Sequence, residues 1–369
     1  MRNIILYGGA FDPIHNGHLR IAMEAMRRFD ADVYFIPGKT PPWKSANASF
    51  HHRLQMIRLA IASTGNKRLH VSLFEYHSKA MVNYSIDTVS YFHQRFPKAK
   101  LYLLIGADEA NAFEKWKEPE RIISMAELIV AMRPGNEIDP DRVSRFHMNL
   151  LGGFIAGDVS SSAVRTLAHG DIPDEVRNYI EAHNLYYMKS IKAKLSKKRF
   201  EHVKSVARLA YEIAVANHIE DPYVAYNAGL LHDIGKDEDE SSSAEIMVDH
   251  FKGYCDMPEW TYHQFVGAYI AKQEFHIDDE RILEAIISHA TGKHNMTVYQ
   301  KIIYAADKIE PGRGYDSSGY IASCKADIEE GFKIVLAANR EFYHEQGYAF
   351  GNNKWSRACA AQYLGVKYE

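Results

Sequence analysis

Gly8-Gly9-Ala10-Phe11-Asp12-Pro13-Ile14-His15-Asn16-Gly17-His18-Leu19 is the stretch around which the first half of the chain is organised. It follows Ile4-Ile5-Leu6-Tyr7, a short apolar run that reads as a buried strand. It runs into residues 20–30, where Ile21, Ala22, Ala25, Met26 and Phe29 recur at helical spacing. The stretch is therefore a strand, a tight glycine turn and a helix N-terminus. Gly8 and Gly9 let a ligand approach the backbone closely. The helix start offers N–H groups and a positive dipole end to phosphate. His15 and His18 stand one helical turn apart, so both rings can face the same phosphates.

Outward from this stretch the first half alternates. Apolar runs at 33–36, 69–72, 101–105, 127–132 and 149–154 predict strands. Helical patterns lie at 50–63, 85–96, 160–168 and 173–182. Strand–helix alternation predicts a doubly wound α/β sheet, with ligands beyond the carboxyl ends of its strands. The pattern changes near Leu185. Lys189, Lys192, Lys194, Lys197, Lys198 and Arg199 form a basic junction that reads as a solvated linker or helix start. Beyond it, helical patterns at 200–217, 222–231, 261–275, 279–288, 298–309 and 326–343 predict an all-α second half. The acidic–serine stretch 237–243 reads as an exposed loop. The expected domains are 1–188 and 189–369.

The chain has 369 residues and a net charge of -3, ordinary for a soluble globular protein of about two domains. That charge gives no sign of an electrostatic nucleic-acid surface, and no nucleic-acid partner is expected. Cys255, Cys324 and Cys359 form no CxxC pair, which argues for a reducing compartment. There is no signal-peptide pattern, and no apolar run approaches the roughly 20 residues that span a bilayer. The expected location is the cytoplasm, with no membrane partner. A homo-oligomer is compatible with the sequence.

In the second half, His202, His232, Asp233, His263, His289 and Asp307 each fall on or at the end of a predicted helix among apolar neighbours. Imidazoles and carboxylates set against a core must be paired or bind metal. Four His and two Asp suit one or two divalent transition metals, with Fe or Mn favoured over thiolate-bound zinc.

Gly9-x-Phe11-Asp12-Pro13-x-His15-x-Gly17-His18 resembles the HxGH nucleotidyltransferases. Pro41-Pro42-Trp43-Lys44, His52-Arg53-Leu54-x-Met56, Asn83-Tyr84-Ser85-x-Asp87-Thr88, Gly106-Ala107-Asp108 with Trp116, and Val159-Ser160-Ser161-Ser162-x-Val164-Arg165 resemble the nicotinate mononucleotide adenylyltransferases in particular. Trp43 stands where that family has His, and Ser162 where it has Thr. The resemblance covers about residues 1–188. It implies a Rossmann-like domain joining ATP to nicotinate mononucleotide, with Mg²⁺ accompanying the ATP. It also implies catalytic roles for His15, His18, Lys44 and Arg165. Gly8, Gly9, Phe11, Lys44, Arg53, Tyr84, Thr88, Gly106, Asp108, Trp116, Ser161, Ser162 and Arg165 are the implied ATP- and substrate-binding residues. Pantetheine phosphate and nicotinamide mononucleotide are the rival substrates.

The order H…HD…H…H…D resembles the HD-domain metal-dependent phosphohydrolases. Leu230-Leu231-His232-Asp233-x-x-Lys236, His289-Ala290-Thr291-Gly292, Asn295-Met296-Thr297 and Ile309-Glu310-Pro311-x-Arg313 resemble the YqeK-type members. That resemblance, over about residues 190–369, implies symmetrical hydrolysis of a dinucleoside polyphosphate, diadenosine tetraphosphate, to two ADP. Asp233 and Lys236 are the implied catalytic residues, and Arg313 an implied phosphate contact. A different nucleotide, such as guanosine tetraphosphate, or a nucleotide-sensing role for this half are the alternatives.

Overall fold

Six apolar runs become strands among the described residues: β1 (Asn3–Gly9), β2 (Ala31–Pro37), β3 (Leu69–Val71), β4 (Lys100–Gly106), β5 (Ala126–Ala131) and β6 (Asn149–Leu151). The computed structural model describes the chain apart from residues 1, 40–46, 81, 133–136, 153–158, 168–170, 348–349 and 368–369. It divides into two compact units: Met1–Arg165 with His169–Tyr186, and Tyr187–Glu369 with Thr166–Ala168.

In the first unit every strand pairing is parallel, in the order β3-β2-β1-β4-β5-β6. Ile4, Ile5, Leu6 and Leu128 are fully buried, as a sheet covered on both faces requires. Helices α1 (Asn16–Phe29), α2 (Phe50–Ser63) and α3 (Ser85–Arg95) supply cover. On one side Val89 and Phe92 of α3 pack with Phe113, Leu101 and Leu103. The strand order reverses between β1 and β4. At such a switch point the two following turns open on one crevice. The topology alone therefore sets the Gly8–His18 turn beside Gly106-Ala107-Asp108.

The second unit is helical throughout its described residues: α4 (Lys197–Ala216), α5 (Pro222–Leu231), α6 (Tyr262–Glu274), α7 (Glu280–Ser288), α8 (Val298–Ile309) and α9 (Ile328–Glu345) are its long members. Two readings of the sequence change here. The acidic–serine stretch is not all loop, because Asp239 accepts from Ser242 N–H at 2.9 Å and caps a helix Glu240–His250. An Asp ahead of serines is an N-cap as readily as a turn. The basic junction is a helix, Tyr187–Lys194, followed by the first turn of α4. Its Lys194 pairs with Glu274 at 2.8 Å and Glu238 at 3.4 Å.

Helices α4 and α5 touch through Gly229, where a Cβ would lie 2.8 Å from Ala207 Cα and 3.1 Å from its nitrogen. Backbone cannot yield as a side-chain tip can, so an extra methyl forces the two helices apart. Gly229→Ala is expected to destabilise the second unit by about 1–3 kcal/mol, read as a lowered denaturation midpoint for that unit. The first unit's transition is expected to stay where it was.

Candidate active sites

The first site is built on Asp12. Its backbone carbonyl accepts from Arg165 Nη1 at 2.7 Å, and the next carbonyl, Pro13, accepts from Ser161 Oγ at 2.9 Å. Arg165 Nη2 also reaches Ser162 Oγ at 2.8 Å. The last motif of the first half is thus latched to its first. The Asp12 carboxylate is buried and accepts from Asn47 N–H at 2.6 Å, Ala48 N–H at 3.1 Å and Tyr186 O–H at 2.7 Å. Burial, with Asp12 beside it, pushes the Tyr186 phenol far up, so Tyr186 donates at any working pH. Sequence reasoning quoted Asp12 in the motif but gave it no role; its partners lie about 35 and 174 residues away.

His15 caps α1 in an extended conformation and is nearly fully buried. The His15 and His18 rings lie 3.7 Å apart between centroids. His18 Nδ1 accepts from the His15 backbone N–H at 3.2 Å, so the neutral His18 ring carries its proton on Nε2. Asp171 secures the α1 entrance, accepting from Asn16 Nδ2 at 2.8 Å and pairing with Arg20. Gly8 and Gly9 lie exposed at the end of β1.

Two residues expected to meet substrate are otherwise engaged. Arg53 is 1% exposed, and its guanidinium donates to the carbonyls of Ala10 at 2.6 Å, Gly38 at 2.8 Å and Ala48 at 3.3 Å. It clamps the glycine turn to the end of β2 from below. Phe11 is 2% exposed and packs edge-on against Tyr7, Phe35 and His18. Its backbone adopts φ 47°, which turns the chain.

Gly106 and the exposed Asp108 stand at the end of β4. Half-buried Trp116 packs on Phe113 at 5.3 Å. Tyr84 is exposed, and Lys117, next to Trp116, sits over its ring at 4.7 Å. Thr88 is buried one turn further along α3. Lys44 lies outside the described residues.

The second site gathers all six expected residues. His202, His232 and Asp233; His232, His289 and Asp307; and Asp233, His263 and His289 each bring ligand atoms within 4.8 Å of one another. His202 comes from α4, His232 and Asp233 from just beyond α5, His263 from α6, His289 from the end of α7 and Asp307 from α8. The Nδ1 atoms of His232, His263 and His289 each face the carbonyl three residues back, at 2.7, 2.9 and 2.7 Å. Each Nδ1 thereby faces the backbone and each Nε2 turns inward, those of His263 and His289 lying 3.1 Å apart. The fully buried His232 Nε2 finds no hydrogen-bond partner, an orphan that a cation would satisfy.

The electrostatics agree with a cation site. Burial opposes charge on Asp233, but His232, His289 and His263 outweigh it and hold the carboxyl well below the usual range. For Asp307, Lys308, His202 and His232 overcome the same penalty. Burial, with His289 and Lys236 nearby, keeps His263 well below its ordinary value and thus neutral. Burial also lowers His289. Burial opposes charge on His232 as well, but Asp233 and Asp307 beside it outweigh burial and raise its pKa. Imidazoles around two ionised carboxylates are the donor set of a divalent metal.

Positive groups ring the cluster. Arg199 Nη1 holds the second Asp233 oxygen at 2.6 Å, and Lys308 Nζ holds that of Asp307 at 2.8 Å. Arg313 pairs with Asp307, and Lys236 Nζ comes within 3.1 Å of His263 Nδ1. Arg199, Lys308 and Glu310 were absent from the expected set. Arg199 stood three residues before His202, where helical spacing could have marked it.

Two family models match the chain: Cytidylyltransferase-like over residues 6–167 and HD domain over residues 199–312. A Mycoplasma pneumoniae protein, described as a probable nicotinate-nucleotide adenylyltransferase/Ap4A hydrolase, is 33% identical over 342 residues, 90% of this chain and 97% of its own. The Bacillus subtilis nicotinate-nucleotide adenylyltransferase is 31% identical and covers 50% of this chain and 99% of its own. A solved Clostridium acetobutylicum structure, titled as a predicted HD superfamily hydrolase involved in NAD metabolism, is 28% identical with a TM-score of 0.44, covering 48% and 95%.

Glu75, unmarked in the sequence, is a strongly perturbed carboxyl of the first unit. Burial lifts it from 4.5 to about 7. A folded value above the unfolded one means that stability present at acid pH is lost as pH rises through about 7. Glu75→Gln is therefore expected to raise the first unit's melting temperature at pH 8. At pH 4.5 it should leave that temperature nearly unchanged, as thermal melts at the two pH values would read.

Proposed function

The chain belongs to the family of nicotinate-nucleotide adenylyltransferases fused to Ap4A hydrolases, and from that membership we propose one reaction for each half. Residues 1–188 join ATP to nicotinate mononucleotide, giving nicotinate adenine dinucleotide and pyrophosphate. Residues 189–369 hydrolyse diadenosine tetraphosphate to two ADP. The location we propose is the cytoplasm; no described helix is long and apolar enough to cross a membrane.

For the first reaction, the observation that carries the reading is the latch of Ser161 and Arg165 onto Asp12-Pro13 beside the paired imidazoles. A phosphate oxygen of nicotinate mononucleotide attacks the α-phosphorus of ATP, and pyrophosphate departs. No covalent enzyme intermediate is needed. The residues hold two polyanions in line and meet the charge that builds on the reacting phosphoryl oxygens. His18 Nε2–H and the Arg165 guanidinium are donors for that charge, together with the α1 N-terminus. Trp116 is assigned to the nicotinate ring, Tyr84 and Thr88 to its carboxylate end, and Lys44 to the triphosphate. Mg²⁺ accompanies ATP, held chiefly by phosphate oxygens.

For the second reaction, the inward-facing Nε2 atoms of His232, His263 and His289 carry the reading. His202, His232, Asp233, His263, His289 and Asp307 would hold one or two divalent ions, with Fe or Mn suited to the N/O donor set. Such an ion would supply Lewis acidity, activating water for attack on phosphorus. Lys236 and Arg313 take the remaining phosphates as charged hydrogen-bond donors. Arg199 holds Asp233 in place.

With ATP and nicotinate mononucleotide the expected products are the dinucleotide and pyrophosphate, and His18→Ala should lower kcat on the order of a hundredfold or more with the fold intact. Equal or better use of nicotinamide mononucleotide would overturn the preference for the acid. With diadenosine tetraphosphate, chromatography should show ADP alone; ATP with AMP would mean asymmetric cleavage. Asp233→Ala should lose both turnover and bound metal, and retention of both would remove the assigned site.

A further inference from the structure

The four ligand histidines of the second unit are not held alike. His232, His263 and His289 lean on backbone carbonyls, whereas His202 Nδ1 meets a carboxylate, Glu310 Oε1, at 3.1 Å. Glu310 is 2% exposed. Its other oxygen accepts from Gly312 N–H at 2.6 Å, inside the short turn Pro311–Arg313. From that turn Arg313 reaches back to Asp307, its Nε donating to the carbonyl at 2.7 Å and its Nη2 to the carboxylate. One buried carboxylate therefore touches both a metal-ligand ring and the turn that carries a cation to a second ligand.

A second observation bears on the same group. A Cβ at Gly312 would stand 2.9 and 3.0 Å from the two Glu310 oxygens. The glycine is there for room, and the room is needed because the carboxylate sits against the turn.

We propose that Glu310 is a positioning residue of the second site: one oxygen holds the His202 ring with Nε2 toward the metal, and the other holds the turn that presents Arg313 to Asp307. The proposal rests on reading the six-residue cluster as a divalent-metal site. A carboxylate behind a ligand imidazole fixes its tautomer and strengthens it as a donor, and losing one typically weakens metal binding about 10- to 100-fold. Glu310 contacts no substrate in this assignment.

The test is a titration of the metal-stripped full chain with Mn²⁺ alone, free ion read by electron paramagnetic resonance. Glu310→Gln keeps the shape, but its single amide oxygen can accept from only one of the two N–H donors. Gly312→Ala keeps the charge and pushes the carboxylate off its seat. Both are expected to fold, by circular dichroism, and to bind Mn²⁺ about 10- to 100-fold more weakly. Folded variants within twofold of the parent would overturn the proposal. So would loss of fold in both, which would make Glu310 a residue of stability alone. If the parent chain itself binds no Mn²⁺, the metal reading of the cluster fails first, and this proposal with it.

Discussion

A buried carboxylate must find partners, and the candidate sites of both units are arranged around that constraint. The desolvation penalty of an isolated carboxylate far exceeds what a fold can spare. In the first unit Asp12 meets it with two backbone N–H groups and a tyrosine hydroxyl. Those donors come from the chain entering α2 and from Tyr186, so satisfying one charge fixes the glycine turn against both. In the second unit Asp233 and Asp307 meet it with histidines, Arg199 and Lys308. Asp233 gives one oxygen to Arg199 and the other to the imidazoles, whereas Asp307 gives one oxygen to Lys308 and shares the other between imidazoles and Arg313. That division aims an oxygen inward from either side.

Much of this was legible in the sequence, for a local reason. Apolar runs at 4–7, 101–105 and 127–132 are strands because parallel strands are buried on both faces, and burial writes itself into consecutive residues. The helices 50–63, 222–231 and 298–309 announced themselves by their helical patterns. The six-residue cluster was legible because histidine and aspartate are costly among apolar neighbours, whatever their fold. The capped helix Glu240–His250 was missed because Asp, Glu and Ser serve loops and helix starts equally well.

What stayed hidden is a matter of pairing across distance. Arg53 is marked as a substrate-binding residue by its family resemblance. Its burial against the carbonyls of Ala10, Gly38 and Ala48 exists only once the turn and the end of β2 are side by side. Glu310 looks like a helix-end carboxylate until His202, 108 residues earlier, arrives at its oxygen. Gly229 reads as a weak point in a helix until Ala207 is found against it. In each case residue type gave the chemistry available, and topology chose which part of it is used.

The two candidate sites also solve opposite electrostatic problems. The first must receive polyanions, and its inner surface offers donors: N–H groups at the start of α1, serine hydroxyls, Arg165 and a His18 ring whose proton faces outward on Nε2. Mobile cations can travel with the nucleotide, so the protein need not carry a metal site there. The second gathers two ionised carboxylates and inward-facing Nε2 atoms, with Arg199, Lys308 and Arg313 on the carboxylates. A centre of that kind would hold a divalent ion, and the cationic side chains about it suit an anionic substrate. The same side chain, histidine, serves both. At His18 the Nδ1 atom accepts and Nε2 donates; at His232, His263 and His289 Nδ1 faces a backbone carbonyl and Nε2 turns inward. The backbone group that meets Nδ1 decides whether the imidazole serves an anion or a cation.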